Sequence, residues 1–408
     1  MDKPKYENIA EVANHSLSAL IKYIEKEEYK GYDPYDTFSS PLLLKIPGNL
    51  SKYLLLQFQK RNPINIRPLL GIKKDYVHKG IALFLNSYSR LALFVKESDK
   101  DSNKEIYQNY LSKCSFLYDW LLTNTTDGYE GLCWSLHVPI AKANRLRPKN
   151  DPSSVLAAFV GDSFFEYYNL TQDKEIVLNM EKIGQFLLKY IPVTENKHGI
   201  CFSYTTKLTD IVFNANMHVA RFFAQLYKLT NNEKYLILSK RSVDFSIAYQ
   251  KEDGRWVYSV TDSGKERHQY DFHQGFMIDC LLDYINLTNC KDEKVQNALV
   301  KATSFYKDKL FDSKGVSYWR YPKRWPIDIH NQAQGVVSFA KMCEINKDNI
   351  EFSKKIALWT ISNMQHQEGY FYHQKWPLFT NKIPYIRWGQ AWMMYALTIL
   401  KEKTSVFE

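Results

Sequence analysis

The sequence predicts an all-α fold, an (α/α)6 toroid of six helical hairpins in an inner and an outer ring, built as a single domain over residues 1–408. Three observations carry this prediction. Helical patterns alternate in two kinds, six of each. Polar residues recur at one phase where the second kind begins. Similar glycine–aromatic turns follow the first kind.

The first kind covers about residues 7–28, 107–124, 175–191, 235–250, 297–311 and 351–365. Each of these patterns leads into a turn. The turns read GLCWSL from Gly131, GICFSY from Gly199, GRWVY from Gly254, GVSYWRY from Gly315 and GYFYH from Gly369, and GYDPYDTF from Gly31 is a looser relative. Glycine supplies the left-handed residue that ends a helix, and the aromatic after it packs over the helix ends. The second kind covers about 79–97, 153–170, 216–229, 273–288, 330–345 and 387–402, each after a longer polar loop. No Pro/Gly/Ser-rich linker or low-complexity segment separates them. Twelve helices match a closed ring better than an open solenoid.

The stretch QYDFHQGFMIDCLLDYI shows why the second kind forms the inner ring. Phe276, Met277, Cys280, Leu281 and Tyr284 recur at helical spacing behind a polar head of Asp271, His273 and Gln274. In PIDIHNQAQGVVSFAKM the Asp-x-His step returns 57 residues later as Asp328 and His330. The same interval reaches back to Asn216 and on to Arg387. Further along these helices Phe223, Cys280, Val337 and Met394 form an apolar column, as a core-facing column should. The polar heads are expected to line one central mouth.

Composition narrows the function. Of 408 residues, 45% are hydrophobic and 15% aromatic, with 29 Tyr and 9 Trp, enough for a large core and for the walls of a sugar site. The net charge of +10 is spread along the chain, with modest clusters at Gln59–Arg67 and Lys142–Lys149. No basic run reads as a nucleic-acid arm, and the surface suits anionic partners: nucleotide sugars, uronic acids or an anionic membrane face. Cys114, Cys133, Cys201, Cys280, Cys290 and Cys343 form no C-x-x-C pair, which implies reduced thiols and a cytoplasmic protein. The opening MDKPKYENIAEV has no apolar signal region, and no run is long enough to span a membrane.

Candidate chemistry gathers at the helix starts. His273 and His330 suit proton transfer near neutral pH, with Asp271 and Asp328 to orient them or to act as acids. The plainer alternative is that both histidines cap helices. Arg387 offers a fork for a carboxylate or phosphate, or else a structural salt bridge. Asn214, Asn216, Gln274, Asn331 and Gln390 suit sugar hydroxyls, or N-caps in the case of Asn214 and Asn216. Asp33 and Asp36 stand in the GYDPYD turn, where an aspartate before proline is a common turn choice. Trp134 can stack on a sugar ring, with His137, Arg145 and Arg147 on the same loop, and Arg67 is a further anion contact. No zinc motif, P-loop, G-x-G-x-x-G or G-x-S-x-G occurs, and no metal or cofactor is expected.

The phrases GYDPYD, NIRPLLGI, CFSY, FNAN, DFHQGF and TNKIPYIRWGQAWMMYAL together resemble a bacterial family encoded with O-antigen and capsule biosynthesis genes, classed with the six-hairpin glycosidase and terpenoid-cyclase toroids. The resemblance spans about Gly31 to Leu400 and carries no known catalytic signature. QKEDGRW, from Gln250 to Trp256, also resembles the Q-W repeat of squalene-type cyclases, with QHQEGYF from Gln365 as a weaker echo. The D-x-D-D acid of those cyclases is missing. N-acylglucosamine 2-epimerases and uronate-processing toroids are similar at the level of fold.

The resemblance implies a protein of surface-polysaccharide biosynthesis acting on an acidic or nucleotide-linked sugar, or on an oligosaccharide. It also implies association with membrane glycosyltransferases. His273 and His330 as a two-base pair favour epimerisation. A hydrolase or lyase would draw on Asp33 with Asp271 or Asp328. A non-catalytic glycan-binding scaffold is the rival from another class.

Overall fold

The computed structural model describes residues 9–97, 103–136, 138–142, 146–261 and 263–405. Helix α1 (Ile9–Lys26) opens it, followed by a short α2 (Pro41–Leu44) and α3 (Asn49–Arg61). Five pairs come next: α4 (His78–Glu97) with α5 (Lys104–Thr123), α6 (Ser154–Thr171) with α7 (Lys174–Tyr190), α8 (Phe213–Thr230) with α9 (Glu233–Ala248), α10 (His273–Thr288) with α11 (Glu293–Leu310), and α12 (Ile329–Lys341) with α13 (Asp348–Met364). The last helix is α14 (Trp392–Ser405).

The fold is an (α/α)6 toroid. Helices α4, α6, α8, α10, α12 and α14 contact one another in that order, and α14 returns to α4. The ring therefore closes. The sixth hairpin is made by the two ends of the chain, with α1 packed on α14 and α13. Burial separates the rings. Every residue of α12 is buried, whereas α7 buries only a stripe that includes Ile176, Met180, Ile183 and Leu187. A helix buried on all sides is an inner helix, and a one-striped helix faces solvent. Each fully buried Leu, Ile or Phe contributes about 1.5–3 kcal/mol.

Connections at one end of the ring are short, such as Gln172–Asp173 between α6 and α7. Those at the other end are long and carry the glycine–aromatic turns. Gly131, Gly199, Gly254, Gly315 and Gly369 all have positive φ. At Gly254 an added Cβ would collide with the Lys301 carbonyl of α11, and at Gly369 with the Ala19 carbonyl of α1. Each turn thus lies against the next outer helix, which is why glycine recurs. Gln250 and Gln365 reinforce the same seam. Gln250 donates to the carbonyls of Gly254 and Ala298 (both 2.9 Å), and Gln365 to those of Gly369 (2.8 Å) and Ser16 (3.1 Å).

Two features depart from the sequence reading. Helix α3 has no counterpart in the predicted set, because it buries only Leu56 and Gln59 and so shows no apolar stripe facing the core. The last inner helix begins with a π-helical turn, Ile386–Ala391, in which the Gln390 amide donates to Tyr385. Such turns insert one residue and often mark functional sites.

Below the mouth the ring axis is filled in layers. Phe159, His218, Phe276 and Trp392 form an aromatic floor, with Phe276 stacked on Trp392 at 5.3 Å and His218 tilted against Phe159 at 4.4 Å. Deeper along the same helices lies a charged plug. Arg221 reaches Asp162 (3.3 Å) and Asp283 (3.4 Å), Lys341 reaches Asp283 (2.5 Å), and Arg90 pairs with Glu166 and Glu402. All six inner helices contribute, so buried charges meet partners across the axis, as desolvated ions must.

Candidate active site

All six inner helices start at the end of the ring that carries the long loops. Their register there is set by buried amides. Asn216 Oδ1 accepts the Phe202 amide (2.9 Å), and Gln274 Oε1 accepts that of Trp256 (2.9 Å). Gln332 Oε1 accepts that of Ser317 (2.7 Å), and Gln390 Oε1 accepts that of Phe371 (2.8 Å). Each side-chain amide also donates back to a carbonyl of its turn. These four residues are 58 apart. The spatial repeat therefore runs at 58, not 57.

That one residue changes the reading of the histidines. In the 58-residue register His330 matches Asn214, Phe272 and Trp388, while His273 matches Asn331. The Asp-x-His similarity is real but local. Asp271 Oδ1 accepts the His273 amide (3.2 Å) and Asp328 Oδ1 accepts the His330 amide (3.0 Å), so both aspartates cap a chain turn. Asp328 stands one residue further from its clamp than Asp271 does, and one residue turns a helix by about 100°. The two imidazoles therefore face different surroundings.

His273 stands at the rim, its side chain 15% exposed. Its Nδ1 lies 2.5 Å from Asp271 Oδ1. Burial would raise the Asp271 carboxyl, but His273 and Arg320 outweigh it and hold the group below the usual range. A charged Asp271 accepts a hydrogen bond from Nδ1–H, which fixes the tautomer with the ring's lone pair on Nε2. Asp271 also accepts from Gln269 Nε2 (2.8 Å).

His330 is buried among rings. Phe272 stacks on it at 3.9 Å, and Trp392 and Trp388 lie at 4.7 and 5.3 Å. Both ring nitrogens are buried without a hydrogen-bond partner. Burial, then the charges of Lys79, His273 and Arg387, push it well below the ordinary histidine value, so the ring is neutral. Asp328 does not bond this ring; its oxygens take the His330 amide, Trp388 Nε1 (3.2 Å) and Gln374 Nε2 (2.7 Å).

The GYDPYD turn is tied into the mouth by two arginines from distant parts of the chain. Arg387 donates to both Asp33 oxygens, from Nε (2.6 Å) and Nη2 (2.9 Å). Arg67 donates through Nε to both oxygens of Asp36 (2.8 and 2.9 Å), and this pair is fully buried. Lys60 of α3 donates to the Tyr35 hydroxyl (2.7 Å) and lies over the ring of Trp388 (5.1 Å). Burial would raise the Tyr35 phenol, but Lys60, Arg387 and Lys142 bring it below the ordinary value.

Several expected binding groups are committed elsewhere. Asn216, Gln274 and Gln390 are turn clamps. Asn331 accepts the Phe272 amide (2.9 Å) and donates to the Tyr318 and Trp319 carbonyls (both 3.0 Å). Trp134 is fully buried and donates Nε1 to Leu121 (2.9 Å), so it presents no face to a sugar. Arg147 pairs with Asp151 (2.9 Å). His137 and Arg145 lie outside the described residues. Asn214 differs from the clamps: its side-chain oxygen is buried with no partner.

Sequence reasoning missed Lys79 and Phe272. The Lys79 amine sits 3.6 Å above the centre of Phe159, near Phe276 (5.3 Å) and Trp392 (5.2 Å). Burial, then Arg387 and Arg221, push it well below the ordinary lysine value. No sequence signal marks it, since a lysine at a helix start normally points to water. A separate open hollow lined by Glu175, Leu178 and Lys182 lies on the outer face of α7, away from these groups.

The toroid is shared with known structures. A sugar epimerase from a ruminal bacterium has a TM-score of 0.65 at 16% identity, covering 96% of this chain and 98% of that one. A family 76 glycoside hydrolase (mannosidase) from Bacteroides thetaiotaomicron has a TM-score of 0.63 at 12% identity, with 97% of each chain covered. An unsaturated glucuronyl hydrolase specific for heparin also scores 0.63 at 12% identity, covering 98% of this chain and 97% of that one. Identities this low establish the shared fold alone. No family model matches the chain, and no curated protein does.

Proposed function

We propose that this protein is a carbohydrate-active enzyme of bacterial surface-polysaccharide biosynthesis, acting on an acidic or nucleotide-linked sugar by imidazole acid–base chemistry of the epimerase kind. The observation that carries this reading is the Asp271–His273 pair at the open end of the ring. A buried anionic carboxylate fixes the tautomer of a part-exposed imidazole, the arrangement a general base requires. In the proposed reaction His273 Nε2 takes the proton alpha to the sugar carbonyl. Arg387 spends Nε and Nη2 on Asp33 and offers Nη1 to an anionic group. Tyr35, Tyr258 and Trp388 supply ring faces around it, with Tyr258 edge-on to His273 at 4.9 Å. Asn214 presents its unpaired oxygen to a hydroxyl.

His330 is the proposed second proton carrier: when Phe272 or Trp388 shifts, its ring meets substrate and solvent, takes a proton from water, and as imidazolium returns that proton to the opposite face of the carbon that His273 deprotonated. The carboxylates give a hydrolase less support. Asp33, Asp271 and Asp328 are each held by two or more donors, and Asp271 is held in its charged form, which disfavours a protonated acid.

The test is proton exchange. The protein is incubated in D₂O with UDP-linked and free uronic acids and N-acetylhexosamines, and the C2 and C5 protons are followed by NMR. Deuterium incorporation that vanishes in His273→Ala supports the reading. Binding without exchange across the panel would replace it with a glycan-binding role, and release of a reducing end would replace it with hydrolysis.

A further inference from the structure

Helix α3 turns two different faces outward and inward. Leu50, Leu54 and Phe58 stand four residues apart, so they form one stripe, and they are 59%, 58% and 60% exposed. Leu56 and Gln59 are buried on the opposite side. The stripe does not stand alone. Ser40 caps α2 and bonds the Leu70 carbonyl (2.7 Å), which ties the start of α2, with exposed Leu42, to the segment that carries exposed Leu69. Asn381 donates to the Asn62 carbonyl (3.4 Å), which places the hairpin carrying exposed Leu378 and Phe379 at the end of α3. Isolated exposed leucines are ordinary, but a cluster of this kind marks an interaction surface.

The charge of the same segment identifies the partner. Residues 41–74 hold seven Lys and Arg and no Asp or Glu. Arg67 is neutralised by Asp36 and Lys74 by Glu27, while Lys45, Arg61 and Lys73 stand exposed. Arg61 falls on the Leu50–Leu54–Phe58 stripe by helical spacing. An apolar stripe bordered by lysine and arginine, on a helix too short to span a bilayer, is the pattern of a helix lying in a membrane interface. A soluble partner that matched the apolar stripe alone would leave this unbalanced positive charge unused.

We propose that the face built from α3, α2 and the 376–379 hairpin docks on an anionic phospholipid bilayer. The apolar stripe enters the headgroup boundary and the exposed cations meet lipid phosphates. The inward side of the same helix carries Lys60, bonded to Tyr35 at the ring mouth. Docking therefore sets the mouth beside the headgroups, where a sugar borne on a lipid phosphate is within reach. That last step rests on the function proposed above; the docking does not.

The experiment is vesicle flotation of the full chain without any sugar, using phosphatidylcholine vesicles with and without phosphatidylglycerol, at low and high salt. The expected result is co-flotation with the anionic vesicles, weakened by salt. It falls roughly tenfold or more in Leu54→Glu/Phe58→Glu and in Lys45→Glu/Arg61→Glu. These side chains are exposed, and circular dichroism and thermal melts check that both variants fold as the parent does. Absence of flotation, or flotation that both variants retain, overturns the proposal. A concentration-dependent dimer by light scattering, lost in Leu54→Glu/Phe58→Glu, with no vesicle binding, would assign the face to a second copy of the chain instead.

Discussion

His330 stacks on one face of the Phe272 ring at 3.9 Å, and His273 stacks on the other side at 4.2 Å. The phenyl ring separates the two imidazoles that the Asp-x-His steps single out. One imidazole is paired with a carboxylate and reachable. The other is neutral, enclosed and without polar partners. Their variants are expected to behave differently.

His273→Ala is expected to lower exchange or turnover by about 10²–10⁴-fold, the usual worth of a general base. Asp271→Asn should cost a similar factor while leaving the fold intact. An amide donor facing Nδ1 favours the opposite tautomer and places the proton on Nε2. Rates measured beside melting curves decide it: loss of activity in step with loss of stability would mean a structural role.

The buried neutral histidines predict acid sensitivity. Burial pushes His218 and His330 well below the ordinary value, and His373 down to about 4. Above pH 6.5 both folded and unfolded chains hold these rings neutral. As pH falls below 6.5 the unfolded chain takes up protons that the folded chain refuses, so stability drops. For His373 the loss reaches ~3 kcal/mol near pH 4. Asp279, raised to about 6 by burial, works in the opposite direction over part of that range. Urea midpoints at pH 7.5 and 5 should therefore converge in His373→Gln relative to the parent. An unchanged pH slope would contradict the account.

Gln332→Ala should destabilise the protein by about 1–3 kcal/mol, because it strands the buried Ser317 amide and removes the amide that donates to the Thr360 hydroxyl and the Gly315 carbonyl. Gly254→Ala should cost more, since positive φ and the Lys301 carbonyl both oppose a Cβ. Gly264→Ala is the control: its φ is also positive but nothing lies near its Cβ, and about 1–3 kcal/mol of backbone strain is expected there. Denaturant titration orders the three variants.

Lys79 is expected to take up a proton when an acidic sugar binds, because a nearby anion favours the ammonium form. Calorimetry in two buffers of different ionisation enthalpy reads this directly. The buffer dependence should disappear in Lys79→Met. Equal heats in both buffers for the parent would remove Lys79 from the binding site.

The glycines at 131, 199, 254, 315 and 369 were legible because a positive φ leaves few alternatives to glycine. The inner helices were legible because an all-round apolar pattern has to be buried. Helix α3 was not, since its leucines face outward. Trp134 and Asn216 were read as binding groups because their chemistry suits sugars, yet each is consumed by a buried backbone group. Nothing in a linear pattern tells which backbone groups will need a partner.

The sequence by itself determined twelve toroid helices, their order, the end of the ring that carries the polar heads, and the aspartate beside each histidine. Only the tertiary structure decided that His273 reaches the mouth while His330 enters the aromatic wall. The buried amide clamps repeat at 58 residues and the capping aspartates at 57. On a helix, that single residue is a rotation of about 100°.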